Sequence, residues 1–320
     1  MTSSEMHIPD GFLDTKTVVA TGALAAAGLG TALYQVHRNF PRRKIPLLGL
    51  GAAFVFAAQM INFPIPGGTS GHLIGSVLIA VLLGPSAAVV VMSSVLIVQS
   101  LLFADGGITT LGANIFNMGI VGAVGGYWIF RAVRGIVGGS RGTVMGAAFA
   151  AWCATVLAAV FCAGELAASQ RAPWALVFPA MTWVHMVIGI GEALITSLVI
   201  VAIGRTRPEL LEPQGGQTRA PAYGSFIIYG ALLCAAVALF LAPFACPWPD
   251  GLDKVARTLG FEQAASAAAI PSPLPDYHFP GIASAPLATS LAGLAGTLLV
   301  FILTFLLARW LVPKAGPEIS

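Results

Sequence analysis

Charge is scarce in this sequence. Its 320 residues include 16 Lys and Arg and 13 Asp and Glu, 9% of the whole, against 57% hydrophobic residues. A water-soluble domain has roughly a quarter of its residues charged, so a soluble surface is excluded. The net charge of +3 reflects that scarcity and not a basic stripe, which excludes a nucleic-acid module. Cys153, Cys162, Cys234 and Cys246 lack any C-x-x-C spacing, so neither a zinc ribbon nor a dithiol redox centre is expected and they read as small apolar fillers. The phosphate loop G-x-x-x-x-G-K-[ST] is missing, which leaves nucleotide hydrolysis to another chain. A secretory leader pattern is also missing from the first seventeen residues, so the first apolar segment is expected to be retained.

What the chain has instead is long apolar runs. About nine segments approach the length a helix needs to cross a hydrocarbon layer about 30 Å thick: 17–36, 45–61, 72–83, 86–103, 111–130, 142–163, 180–203, 225–244 and 288–311. All are expected to be helices, because backbone groups in lipid must pair within their own segment and no alternation of barrel type is present. The third segment is short and runs into Gly84-Pro85, so segments three and four read either as two spans or as a tight helical hairpin whose first arm does not fully cross. The fold expected is an all-α integral membrane protein.

Orientation follows from the cations. Arg38, Arg42, Arg43 and Lys44 follow segment one, Arg131, Arg134 and Arg141 segment five, Arg205, Arg207 and Arg219 segment seven, and Arg309 and Lys314 close the chain. Only Lys16, Arg171, Lys254 and Arg257 fall on the opposite side. The richer side is therefore expected to be cytoplasmic, with the N-terminus outside and the C-terminus inside. Glu5, Asp10, Asp14, Asp105, Glu165, Asp250, Asp253, Glu262 and Asp276 share the outer side, where they attract cations weakly. Composition divides the chain into an extracytoplasmic segment 1–16, a seven-helix part 17–204, a polar cytoplasmic linker 205–224 and a two-helix part 225–320 with an external loop 245–287.

Histidines are the main source of metal ligands. His7 lies in Met6-His7-Ile8-Pro9-Asp10-Gly11, extended chain ending in a turn, and His72 follows Gly67-Gly68-Thr69-Ser70-Gly71, a side-chain-poor approach that reads as a hairpin turn entering a helix. In a chain beginning at Met6, the amine, the amide nitrogen and imidazole of His7, and the imidazole of His72 supply four nitrogens. Four nitrogens in one plane suit Ni(II) or Cu(II), whereas zinc prefers a tetrahedron. Ser70, Asn114, Asn117, His185 and Glu192 are candidates to hold those ligands from behind. Asn114 and Asn117 lie three apart near the outer end of a span, and Glu192, costly inside lipid, needs a partner in the protein interior.

These motifs resemble the CbiM/NikM family, the substrate-capture subunits of nickel and cobalt energy-coupling factor transporters. The resemblance rests on Met6 to Leu13, on Gly67 to Leu73 with Gly84-Pro85, on Gly112-Ala113-Asn114-Ile115-Phe116-Asn117-Met118-Gly119, and on His185 to Glu192 with Ile195-Thr196. It implies that the N-terminal amine, the adjacent histidine and the histidine of the glycine-rich loop bind the metal, which places Met6, His7 and His72 at the site. Family members begin at that methionine, whereas Met1-Thr2-Ser3-Ser4-Glu5 precede it here, so translation from Met6 or removal of the five residues is expected. Pro249-Asp250-Gly251-Leu252-Asp253 through Tyr277 resembles the two-span partner NikN/CbiN, fused behind the capture subunit, and this fusion favours nickel over cobalt. Asp250, Asp253 and His278 are expected to lie in a solvated loop.

The resemblance implies a coupling transmembrane subunit of the NikQ/CbiQ kind and two cytoplasmic ATPase subunits of the NikO/CbiO kind as partners, in the inner membrane of a prokaryote. It implies no resident cofactor and no catalytic residue, with Ni(II) or Co(II) as the transported substrate. Two other functions compete. Gly68-Thr69-Ser70-Gly71 with His185 is a minimal nucleophile and base for an intramembrane serine protease, and Glu192 is the one buried charge available to an ATPase-independent metal permease.

Overall fold

The computed structural model describes residues 6–211 and 223–313. Among these the regular structure is helical apart from one small hairpin. Helices α1 (Thr15–Asn39), α2 (Ile45–Gln59), α3 (Ser76–Leu83), α4 (Pro85–Phe103), α5 (Leu111–Val137), α6 (Gly139–Ala168), α7 (Trp174–Thr206), α8 (Gly224–Phe244), α9 (Gly251–Leu259) and α10 (Ala285–Leu311) follow in order. Strands β1 (Phe63–Ile65) and β2 (Thr69–Gly71) pair antiparallel, with Pro64 opposite Ser70 and the turn made by Gly67 and Gly68 at positive φ.

Seven of the helices, α1, α4, α5, α6, α7, α8 and α10, are long and apolar enough to cross a membrane. Large side chains on their outer faces, Trp183 at 69% and Leu198 at 70% exposure among them, would be untenable in water and mark a multi-pass membrane protein. The other two segments read as spans are shorter. Segment 45–61 forms the 15-residue α2, and segment 72–83 forms only the 8-residue α3, about 12 Å long at 1.5 Å per residue. Both are mostly buried against other helices. Gly84, at φ 94°, turns α3 directly into α4.

Two helices depart from α geometry where the chemistry lies. The last turn of α4, Gln99–Phe103, is π-helical, as is Ile115–Gly125 within α5. Such extra-residue turns rotate the side chains that follow and recur at functional sites.

The C-terminal region packs into the rest of the protein. Helix α10 lies against α2 through glycines: a Cβ on Gly296 would stand 2.2 Å from the Phe56 ring, and one on Gly49 2.9 Å from the Phe301 carbonyl oxygen. Small residues at such crossings let two backbones approach, which lipid-embedded helices need in place of a hydrophobic drive. The sequence 245–287, expected as an external loop, contains α9, whose Leu252, Val255 and Ala256 are buried beside Ile8, Phe12 and Leu13. Arg219 and Lys314, counted for orientation, and Glu5, counted with the outer acids, lie outside the described residues. Gly296→Val is expected to overpack the α2–α10 contact by about 1–3 kcal/mol and to lower the thermal midpoint in detergent, read by a fluorescence melt.

Candidate metal site

The irregular segment 6–14 is buried, and its backbone is pinned at almost every step. Met6 N–H donates to Asp105 Oδ1 at 2.9 Å. Ile8 is held on both sides: its N–H donates to Asn114 Oδ1 at 3.0 Å, and its carbonyl accepts from Asn114 Nδ2 at 3.1 Å, Thr110 Oγ1 at 2.6 Å and Gly107 N at 2.9 Å. Asp10 accepts from the Thr109 N–H at 2.8 Å and hydroxyl at 2.5 Å, and from Ala269 N–H at 3.1 Å. Arg171 donates to the carbonyls of Gly11 and Phe12 at 2.7 and 2.8 Å. The loop 105–110 accommodates the segment because Gly106 and Gly107 carry no side chain. A Cβ on Gly106, which sits at φ +81°, would come within 2.8 Å of the His7 Cβ, and one on Gly107 within 2.3 Å of the Asp10 nitrogen.

This arrangement brings His7 beside His72. The two rings lie 5.6 Å apart, nearly perpendicular at 80°, and His7 is only 3% exposed. His7 Nε2 is 3.1 Å from Gln99 Oε1, and its Nδ1 is buried with no hydrogen-bond partner. His72 Nε2 lies 3.2 Å from the Met6 carbonyl oxygen and its Nδ1 3.2 Å from the Leu73 carbonyl oxygen. Burial first, and the neighbouring His7 second, push the His72 pKa down to about 4, so the ring is neutral. A neutral imidazole has one N–H, so only one of the two carbonyls receives a bond, and the other ring nitrogen keeps its lone pair.

Met6, His7 and His72 line a cavity of about 70 Å³, with Asn114, Asn117, His185 and Asp250 also on its wall. Among the described residues no three His, Cys, Asp or Glu side chains converge to hold a metal. A site built here therefore needs backbone nitrogen as well as imidazole, which is the donor chemistry of square-planar Ni(II) and not of a tetrahedral zinc centre.

The remaining candidates separate by role. Asn114 clamps Ile8 directly. Asn117, on the wall of the same cavity, donates to Glu165 Oε2 at 2.8 Å. Glu192, buried on α7, accepts from the N–H groups of Ile74 and Gly75 at 2.7 and 2.8 Å, capping α3 and fixing the chain just after His72. Ser70 donates to the Trp248 carbonyl at 2.8 Å, which ties β2 to the C-terminal region. His185 Nδ1 is paired with the Met181 carbonyl one turn back. A protease pair therefore has no support in this geometry, since the hydroxyl and the ring are each engaged with backbone.

One expectation is overturned here. Asp250 is 3% exposed, not solvated. It caps α9 by accepting from Asp253 N–H at 2.8 Å, and the adjacent Gly251 leaves no room for a Cβ against the His185 ring, 2.9 Å away. Asp253 is half-buried, and His278 alone of the three is exposed. Sequence reading also missed Gln59, Gln99 and Tyr277 and took Asp105 only as one of several outer acids. The Tyr277 hydroxyl lies 2.6 Å from Asp105 Oδ2 and 3.1 Å from Gln99 Nε2, and Gln99 Nε2 reaches Gln59 Oε1 at 3.0 Å. The signal available in the sequence was a pair of amide side chains within otherwise apolar helices, Gln59 and Gln99, which lipid or core would exclude without partners.

Residues 7–210 match the family described as the cobalt uptake substrate-specific transmembrane region, and residues 224–313 match the PDGLE domain. A putative fused nickel transport protein NikMN of Archaeoglobus fulgidus is 38% identical over 310 residues, covering 95% of this chain and 99% of that one. The cobalt transport protein CbiM of Geobacter sulfurreducens is 31% identical over 251 residues, covering 74% of this chain and 71% of that one. A crystal structure of a truncated transition metal transporter superposes with a TM-score of 0.58 at 35% identity, covering 63% of this chain and 99% of that chain. By both matches, the chain belongs to the CbiM family of metal transport proteins and has a PDGLE domain, the NikN-like region, behind it.

Proposed function

We propose that this chain is the substrate-capture subunit of an ATP-dependent energy-coupling factor importer, taking Ni(II), with Co(II) second, on the outer face of a prokaryotic inner membrane. The observation that carries the reading is the buried, unpartnered Nδ1 of His7 on the wall of the cavity it shares with His72. Burying a ring nitrogen without a partner is costly unless something fills that valence, and a metal ion does so. The donors are the nitrogen of Met6 as an amine, the amide nitrogen of His7, its Nδ1, and an imidazole nitrogen of His72. The amide nitrogen and Nδ1 of one histidine close a six-membered chelate ring with the ion.

The chain lacks a phosphate loop, so ATP hydrolysis belongs to two cytoplasmic ATPase subunits, acting through a coupling transmembrane subunit. The N-terminus faces outward and the cation-rich helix ends face the cytoplasm. An ATPase-independent permease is the weaker reading, because both oxygens of Glu192 are committed to the cap of α3.

Three measurements test the site. In a chain beginning at Met6, His72→Ala is expected to weaken nickel binding at least about 100-fold, beyond the loss typical of a partner behind the ligand. Acetylating the Met6 amine is expected to do the same, since it removes that nitrogen as a donor, and unchanged affinity would refute the N-terminal site. Nickel affinity is expected to rise at least about tenfold per pH unit from pH 5 to 8, because the His7 amide proton must leave on binding. The neutral His72 adds nothing to that slope.

A further inference from the structure

Gln99 touches no proposed donor except His7, yet its orientation is fixed from two independent directions. The carbonyl of Ile74 can only accept, so Gln59 turns its Nε2 toward it at 3.1 Å and presents Oε1 to Gln99. Gln99 must therefore offer an N–H to Gln59. The second direction comes from the C-terminal region. The Asp105 carboxylate can only accept, so the single proton of the Tyr277 hydroxyl goes to it, and the hydroxyl oxygen is left to accept the other N–H of Gln99.

Both amide protons of Gln99 are thereby spent, and its carbonyl oxygen is what faces His7 Nε2 at 3.1 Å. A carbonyl requires a donor, so His7 has its proton on Nε2. Nδ1, the nitrogen able to chelate with its own amide, is the bare one, in agreement with its lack of any partner. Had the amide been turned over, the proton would sit on Nδ1 and the chelating nitrogen would be blocked.

We propose that Gln99 is the positioning residue of His7, locking its imidazole in the tautomer whose Nδ1 is free, and that Gln59 and Tyr277 hold Gln99 in the orientation this needs. The inference rests on the metal-capture reading for its purpose but not for its geometry. It makes the C-terminal region part of the site: Tyr277 reaches it through a backbone held at φ 56°, with Asp276 before it at φ 54°, and stacks on Phe103 with ring centres 4.7 Å apart. Left-handed backbone at two successive non-glycine residues is strained and persists only where the surroundings over-determine it.

The test uses the purified full chain starting at Met6, with histidine labelled in both ring nitrogens. Without metal, nitrogen NMR is expected to show His7 protonated at Nε2, assigned by comparison with His7→Asn, and a spectrum with the proton on Nδ1 would overturn the proposal. Nickel titration follows. Gln99→Met is expected to bind at least tenfold more weakly, Gln99→Glu, which still accepts from Nε2, to stay within about threefold of wild type, and Tyr277→Phe to fall between them. Equal affinity in wild type and Gln99→Met would also overturn it. Should Gln99→Met not fold, the wild-type spectrum and the Tyr277→Phe titration decide, unchanged affinity in the latter removing the role given to Tyr277. Wild-type chain that binds no nickel fails the capture reading, and the metal-free spectrum then decides the part played by Gln99.

Discussion

Everything around the N-terminal segment follows from the need to pair the backbone of residues 6–14 where it is buried. An irregular segment offers an N–H and a carbonyl at nearly every residue, and each one buried alone costs as much as a lost hydrogen bond. The polar residues gathered there, in a chain otherwise so poor in them, are largely the answers to that demand: Asn114 and Thr110 for Ile8, Asp105 for Met6, Arg171 for Gly11 and Phe12. The glycines at 106 and 107 are the counterpart, since the same pairing requires two backbones in contact. Precision in the proposed nitrogen donors is thus a consequence of satisfying the chain, and the donors need no dedicated scaffold.

The π-helical turns belong to the same logic. In a regular α-helix, polar side chains that must meet a strand-like segment from the helix end would point along the i, i+4 ridge. One extra residue per turn re-aims them. Gln99 opens one such turn and Asn117 lies inside the other, each at the level of the cavity. The C-terminal region then closes the structure from the side. Tyr277, Ala269 and the α9 residues Gly251 and Leu252 supply partners or apolar cover that the first two hundred residues leave open, so the two matched regions share one polar network.

The sequence disclosed the parts whose information is local. Apolar run length yields the long helices, with α1 found at Thr15–Asn39 against 17–36 and α10 at Ala285–Leu311 against 288–311. Pro-Asp-Gly after His7 and the glycine run before His72 signal turns, and the β-hairpin is there. Run length says less about α2 and α3, 15 and 8 residues long, because burial within a protein and burial in lipid select the same residues. The partners of His7 were hidden for a different reason. Gln99, Asp105 and Tyr277 lie 92, 98 and 270 residues from His7, and no periodicity records a contact made through folding at that range. Asp250 was misjudged because a Pro-Asp-Gly turn looks solvated until something is known to pack over it.

The selectivity proposed for the cavity follows from what the cavity omits. Hard cations such as Ca(II) and Mg(II) are held by several carboxylates and waters, and no such cluster is found among the described residues lining it. Asp105, the carboxylate nearest His7, stands 3.9 Å from Nε2, with one oxygen taken by Met6 and the other by Tyr277. The proposed nitrogen set, with the ionised His7 amide as its one anionic member, gives less to a cation on charge alone than to one with strong nitrogen preference and a planar habit. Discrimination on the proposed basis is electronic and geometric. It also explains why the tautomer of one imidazole would matter so much: a single lone pair pointed the wrong way is a quarter of the proposed coordination.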